Sequence, residues 1–373
     1  MAASGSPRFR PVPAGAAESV ALAAITRGAG AEEVVSWVCR VAEAATDFSW
    51  LSQGDAVFLK PAGNSARRYP ATTSPLAIRA LAGLLREQGA GRVIVGDKSG
   101  VQYVYQDEKR QRGSTRQNFM ANGLQQAALE AGAETHYFEE AGYDAYFGDR
   151  TEHPGHWRGP LMLPNILTQV DHVVLLPRVS RHVLAGSTLG LKAAVGWLRD
   201  DSRLELHRDA KSFVQKIVEI NDALTLRQKL RLVLSVATQV QTTFGPDRGY
   251  VAAPDPGLIF ASPSLLAHDM VALGWLCWNR EYQTPARWLS WATDPYQSFP
   301  GAINRGFVGY IWGVRELLKA ETYDTVPFDS AGTDPQLSWA AHLWGGMPRL
   351  ELNDVSASLP DHLRSYLLEK GAS

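Results

Sequence analysis

Lys60, Asp97, His182 and Lys192 are the side chains of this sequence best placed to do chemistry, because each ends, follows or interrupts an apolar stretch. Lys60 closes the run Ala56 to Leu59, where an ammonium can act as a point charge for a carboxylate or phosphate. Asp97 closes Arg92 to Val95 plus Gly96. It suits a metal, a hydroxyl or a cationic substrate group, and equally a turn ahead of Gly100. His182 follows the run His172 to Leu176, and its ordinary pKa near neutrality suits general acid/base catalysis. Lys192 stands among Leu189, Leu191, Ala193, Ala194 and Val195. A lysine there needs a partner, a depressed pKa or a route for its stem to reach water. Thr72 and Thr73, with Ser74, precede a helix start, where free N–H groups favour an anion; plain capping accounts for Ser74 equally well. Asn64 and Arg181 extend the substrate-binding set, and Arg67 and Arg68 add charge to the same loop. For a divalent metal, the candidate ligands are His182, Asp97 and one of His207, His153 or His156, the last two in the loop Gly142 to Pro160. The pairs His207/Asp209 and His268/Asp269 read as solvated helix faces.

These residues need elements to hold them. Ala56 to Leu59 reads as a buried strand. Ser74-Pro75 opens an amphipathic helix with Ile78, Leu81, Leu84 and Leu85 inward, and Arg92 to Val95 is a second strand. Strand, helix and strand at this length form a βαβ unit with a parallel sheet, whose ligands bind beyond the carboxyl ends of the strands. Further strands are expected at Val20 to Ala24, Thr135 to Phe138, Asp171 to Leu176, Leu230 to Val236 and Leu258 to Ala261. Helices are expected at Ala31 to Ala45, Thr115 to Glu130, Thr188 to Leu198, His207 to Leu224 and Leu265 to Trp278. Val101 to Arg112 reads as a surface loop. The fold class is therefore α/β, a mostly parallel sheet flanked by helices. Residues 1–15 read as a disordered terminus and 16–278 as the α/β domain. Residues 279–373, with Trp288, Trp291, Trp312, Trp339 and Trp344, read as a helical or irregular Trp-rich subdomain or lid.

Composition narrows the function. A 373-residue chain with 45% apolar and 20% charged residues is ordinary for a globular protein. A formal net charge of −1 supplies no field to gather nucleic acid. Nothing approaches about 18 consecutive apolar residues, so no membrane partner is expected. The N-terminus lacks a basic segment followed by an apolar core, so a cytoplasmic location is expected. Cys39 and Cys277 are read as buried free thiols, too few for an iron–sulfur cluster or structural zinc. Phosphate-loop, nucleophile-elbow, zinc-protease and dinucleotide signatures are absent.

Several blocks together are similar to the domain-of-unknown-function 362 family. They are VFLKPAGN with ATTSPLAIRAL, RVIVGDKSG, DHVVLLPRVSRHVLAGSTLGLKAAVG and, more weakly, IFASPSLLAHDMVALG. They span roughly residues 55 to 275. The resemblance implies the α/β fold and a site at the strand ends, without an iron–sulfur module. The chain departs from the family pattern at Ala62, where members carry Asn, and at Arg178, Ser180 and Arg181 ahead of His182.

The sequence thus points to an enzyme acting on a small, partly apolar organic molecule with an acidic group, in a specialised biosynthesis. Lys60, Thr72, Thr73 and Arg181 would hold the anion, and His182 and Lys192 would move protons or polarise a carbonyl. A metal-dependent redox or isomerisation enzyme, and a non-catalytic binding or carrier protein, are the alternatives. The cofactor stays unknown with a divalent metal admissible, and a homodimer is left open.

Overall fold

The computed structural model describes residues 14–372 except 246, 290–299, 324, 325 and 327. The terminus expected to be disordered lies largely outside the described residues, as does Trp291.

Eight strands form one sheet: β1 (Ala17–Ile25), β2 (Ala56–Pro61), β3 (Arg92–Asp97), β4 (Glu134–Tyr137), β5 (His172–Leu176), β6 (Leu230–Ala237), β7 (Gly257–Ser262) and β8 (Arg349–Asp354). Their order is β8-β1-β7-β6-β5-β2-β3-β4. Only β7 runs against its neighbours, pairing antiparallel with both β1 and β6. The remaining pairs are parallel. The sheet is therefore mostly parallel, as the βαβ pattern required. Its strands alternate between two apolar layers: Phe58, Val173 and Leu175 face one way, and Val57, Leu59 and Val174 the other. Both faces are covered, which is why these strands read as unbroken apolar runs.

One layer holds α1 (Ala31–Ala45) and α2 (Pro75–Glu87). Ile78, Leu81 and Leu85 of α2 are buried there against Val93 and Val95 of β3. Ser74 occupies the cap position of α2, but its hydroxyl makes no cap bond. The other layer holds α3 (Gly190–Ala193), α4 (Asp200–Arg208), α5 (Phe213–Asn221) and α6 (Leu265–Tyr282). Later helices include α7 (Pro300–Trp312) and α8 (Asp361–Ala372). β8 pairs with β1 from Ala17↔Arg349 to Leu22↔Asp354. α8 buries Leu363 and Leu367.

Several expected helices are broken. Thr115 to Glu130 splits at Gly123, whose φ of 88° is the left-handed conformation glycine adopts without a Cβ penalty. Thr188 to Leu198 is one turn of α-helix followed by a 3₁₀ turn over Ala194–Trp197. His207 to Leu224 is really the end of α4 and all of α5, parted at Asp209. Val101 to Arg112 is not simply surface loop: Val101 and Val104 are buried and Tyr105–Gln106 pairs with Gln111–Arg112. Within Gly142 to Pro160, Tyr146–Asp149 is a strand paired with Leu161–Pro164. Cys277 is buried, whereas Cys39 is half-buried. Among the described residues no helix is long and apolar enough to cross a membrane.

Candidate active site

Parallel strands end their chain direction on one edge, and there β2 delivers Lys60 and β3 delivers Asp97. The segment after β5 delivers Arg178 and then His182, on the short strand Ser180–His182. A cavity of about 380 Å³ opens at this edge. Its lining includes Lys60, Asn64, Asp97, His182, Lys192 and His207 of the expected set, and Lys98, Arg178 and Arg203 besides. Val101, Leu184, Val195, Phe307 and Tyr310 give it apolar walls.

Its cations are not equivalent. Lys60 Nζ lies 2.7 Å from Asp97 Oδ1 and donates to the Pro61 carbonyl at 2.9 Å. It also stands 5.5 Å over the ring of Trp197. Asp97 accepts the Gly63 N–H at 2.8 Å and the Lys98 N–H at 2.8 Å as well, so both of its oxygens are engaged. Burial lowers the Lys60 pKa, and Asp97 opposes that. A Cβ on Gly196 would come within 2.4 Å of Asp97 Oδ1 and 2.5 Å of Lys60 Nζ, so this pair needs a glycine beside it. Lys98 Nζ pairs with Asp200 Oδ2 at 2.7 Å, and burial brings its pKa to about 8 against that partner. Arg203 is a pin rather than a free charge. It donates to the carbonyls of Leu198, Ser99, Lys98 and Gly196 at 2.9, 2.7, 3.2 and 2.8 Å. Arg178 donates to the Ala71 carbonyl.

Lys192 differs from all of these. Its side chain is half-buried, lines the cavity and has no hydrogen bond or ion pair among the described residues. Burial, then Arg178 and Arg203, bring its pKa down to about 7, with Asp247 opposing. Desolvation and like charge both favour the uncharged amine. Its backbone is held from behind. Asp269 accepts the Gly190 and Leu191 N–H groups at 2.8 and 2.7 Å, and its Oδ1 lies 2.7 Å from His268 Nδ1. His268 Nε2 in turn lies 3.1 Å from Ser235 Oγ. His268 and Asp269 are thus fully buried, not on a solvated helix face. The helix α6 carrying them is covered on all sides, so local polarity misleads.

His182 is fixed in one tautomer. The Leu184 and Ala185 N–H groups both donate to its Nδ1, each at 3.1 Å. Nδ1 is therefore an acceptor, and the ring proton sits on Nε2. Burial, then Lys192 and Arg178, hold its pKa well below the usual value. His182 is a neutral imidazole with an Nε2–H donor. The same geometry bears on the metal candidates. An Nε2 ligand would put the proton on Nδ1, against two N–H groups. His182 is therefore not set up to ligate a divalent cation through Nε2. Each Asp97 oxygen already accepts a hydrogen bond, and burial with Lys192 and Arg203 takes the His207 pKa down to about 3, so its imidazole is neutral. His153 and His156 are elsewhere, on Asp222 at 3.2 Å and Glu219 at 2.6 Å of the α5 end. Among the described residues, no three His, Cys, Asp or Glu side chains are grouped to hold a metal ion.

Three expected binding residues do not reach the cavity. Thr72 Oγ donates to the Arg67 carbonyl at 2.9 Å. Thr73 Oγ donates to the Leu176 carbonyl and accepts the Ala62 N–H at 2.8 Å. Both hydroxyls tie the loop after β2 to the end of β5. Arg181 donates to the Gly186 carbonyl at 2.8 Å and lies 3.8 Å over Phe328. Asn64 does line the cavity, but its amide is on Asp247, which also takes Ser65 and Tyr103 hydroxyls at 3.0 and 2.9 Å. Sequence reasoning missed Lys98, whose place directly after Asp97 was a usable signal, and Arg203, whose helix gives none.

Residues 57–274 match the model of a family described as a domain of unknown function (DUF362). No curated protein matches the chain. Among solved structures, the lactate racemase apoprotein from Thermoanaerobacterium thermosaccharolyticum is similar at 14% identity and a TM-score of 0.39. That likeness covers 59% of this chain and 50% of the other. A structural-genomics protein from Thermotoga maritima is similar at 12% identity and a TM-score of 0.35, over 57% and 51%. The chain spans about half the length of each.

Proposed function

We propose, for a chain that belongs to the DUF362 family, an enzyme that binds a small, partly apolar organic acid and acts on it with Lys192. The carrying observation is the contrast among the cavity's cations. Lys60 and Lys98 are each neutralised by a carboxylate, and Arg203 is spent on carbonyls, whereas Lys192 has no hydrogen-bond or ion-pair partner among the described residues. An arginine- and lysine-lined cavity of this size, with apolar walls, suits an acid of modest size; small-molecule sites run from roughly 300 to 1,000 Å³. Arg178 and Arg203 supply a fixed positive field for the carboxylate. With its pKa depressed, Lys192 has a substantial uncharged fraction that can take a proton or attack an electrophile, since an amine next to other cations is an activated nucleophile. His182 offers its Nε2–H as a neutral donor to an oxygen that gains charge, which is electrophilic assistance rather than proton transfer. Of the two residues expected to move protons or polarise a carbonyl, Lys192 takes the proton role and His182 the polarising one.

The test is untargeted. Wild-type protein and the Lys192→Met variant are each incubated with a mixture of organic acids from cell extract, and products and retained ligands are read by mass spectrometry. Conversion of one acid by the wild type alone is the expected result. Retention without conversion by both proteins would replace the enzyme by a carrier. Neither conversion nor retention would overturn the reading.

A further inference from the structure

We infer that Lys192 forms an imine with the carbonyl carbon of its substrate, which makes the substrate class a 2-oxo acid or a closely related carbonyl-bearing carboxylate. The inference rests on the proposed function and narrows its substrate.

Three features of the cavity converge on this chemistry. First, the amine is available. A lysine used only for charge would be expected in an ion pair or hydrogen-bond network, as Lys60 and Lys98 are. Second, the amine is positioned by a buried chain that has no evident role in charge balance at the cavity. Ser235, His268 and Asp269 fix the Gly190 and Leu191 N–H groups, two and one residues before Lys192. Gly190 packs so closely that a Cβ there would lie 2.7 Å from Asp269 Oδ1. Such support is what covalent chemistry needs, because a nucleophile must hold its approach to within a fraction of an ångström. Third, the group facing the same cavity is a donor. The two N–H groups on His182 Nδ1 oblige Nε2 to carry the proton, so the ring can hydrogen-bond a carbonyl oxygen but cannot compete with Lys192 as a base. A neutral amine, a neutral donor and a cationic field together match an electrophilic carbon flanked by a carboxylate better than they match a simple acid.

The step balances without a further reagent. The Lys192 nitrogen lone pair forms the C–N bond while the carbonyl π pair moves to oxygen, which His182 Nε2–H stabilises. The two protons of the amine pass to that oxygen, the C–O bond breaks, and water leaves. The product is the imine of Lys192 and one water. The carboxylate stays in the field of Arg178 and Arg203.

Phenylpyruvate and phenylacetate serve as probes: both are partly apolar acids, and only the first has a carbonyl carbon next to the carboxylate. The full chain is incubated with each, reduced with borohydride and mapped by peptide mass spectrometry. Binding of both acids is followed in parallel by calorimetry. The expected result is a reduced adduct of phenylpyruvate on Lys192, none with phenylacetate, and loss of the adduct in Lys192→Arg, which keeps a long cationic side chain without a nucleophilic amine and still binds acid. Binding of both acids with no adduct on Lys192, or an adduct spread over surface lysines and kept in Lys192→Arg, would overturn the imine and leave the organic-acid reading standing. Failure of both acids to bind would overturn both.

Discussion

Lys60 and Lys192 share one cavity and respond oppositely to removal. Lys60 is buried against Asp97 at 2.7 Å, so Lys60→Met leaves a carboxylate without its cation. Breaking such a pair costs about 3–5 kcal/mol. The two N–H groups that remain on Asp97 place the expected loss at the low end, and urea denaturation measures it. Lys192→Met removes a desolvated amine that has no partner among the described residues, so the variant is expected to be more stable at neutral pH. The sign follows from proton linkage. The folded pKa of Lys192 is depressed to about 7 from the ordinary 10.5. Between those values the unfolded chain holds the extra proton, so wild-type stability rises with pH through that window. Below pH about 7 the full penalty is present. The gain from Lys192→Met, on the order of a few kcal/mol, is therefore greatest there and fades toward pH 10. A gain independent of pH would contradict the assignment. Lys60, Asp97, His182 and Lys192 were legible because each borders or interrupts an apolar run. Which lysine is paired was not, since Asp97 and Asp200 are assigned to Lys60 and Lys98 only by tertiary packing.

Strand ends place this site, and the loops that follow them shape it. Thr73 joins the loop after β2 to the end of β5 through the Ala62 N–H and the Leu176 carbonyl. Thr73→Val orphans both partners in a buried spot, at about 1–3 kcal/mol for each unsatisfied group. Thermal unfolding should show that loss, while a phenylpyruvate adduct on Lys192 persists; loss of acid binding without loss of stability would instead restore Thr73 as a ligand. Asp269 joins α6 to α3 in the same manner. Asp269→Asn turns one acceptor into a donor facing an N–H or a histidine nitrogen, and both stability and Lys192 reactivity should fall. The β2-α2-β3 unit could be read from the sequence because its hydrophobic periods are clean and Pro75 marks the helix start. The helix expected over Thr188 to Leu198 was too long. Its apolar residues fit a helical period, yet Gly196 must crowd Asp97 and Lys60, and the chain tightens into a 3₁₀ turn there. The bond from Asp269 spans 79 residues and leaves no local trace.

The whole molecule closes through its last segment. β8 pairs in parallel with β1, and α8 buries Leu363 and Leu367 against the layer that contains α6. Gly274 of α6 lies close enough that a Cβ there would touch Leu367 at 3.4 Å. Leu367→Ala should cost about 2–5 kcal/mol, the range for emptying a buried leucine site. It should do so at a distance from the cavity, leaving the Lys192 chemistry intact in the folded fraction. At this scale the α/β class and the mostly parallel sheet were legible, because both faces of the strands are apolar and helices alternate with them. The strand Arg349–Asp354 was not: its pattern of Arg, Glu and Asn among leucines is that of an edge strand with one face toward solvent, and it carries little β signal. The basic lining of the cavity also escaped the sequence, since a chain with net charge −1 gives no hint that five lysine and arginine side chains line one space.

The account turns on one titration, that of the Lys192 amine in the intact protein. Competitive acylation with isotopic reagents across a pH series, read on the Lys192 peptide, reports it directly. The account predicts half-maximal reactivity close to pH 7, with Lys192→Arg removing the signal. Half-maximal reactivity near pH 10.5, as for a solvated lysine, would mean that Lys192 is charged at neutral pH, and would contradict a nucleophilic or basic role for it.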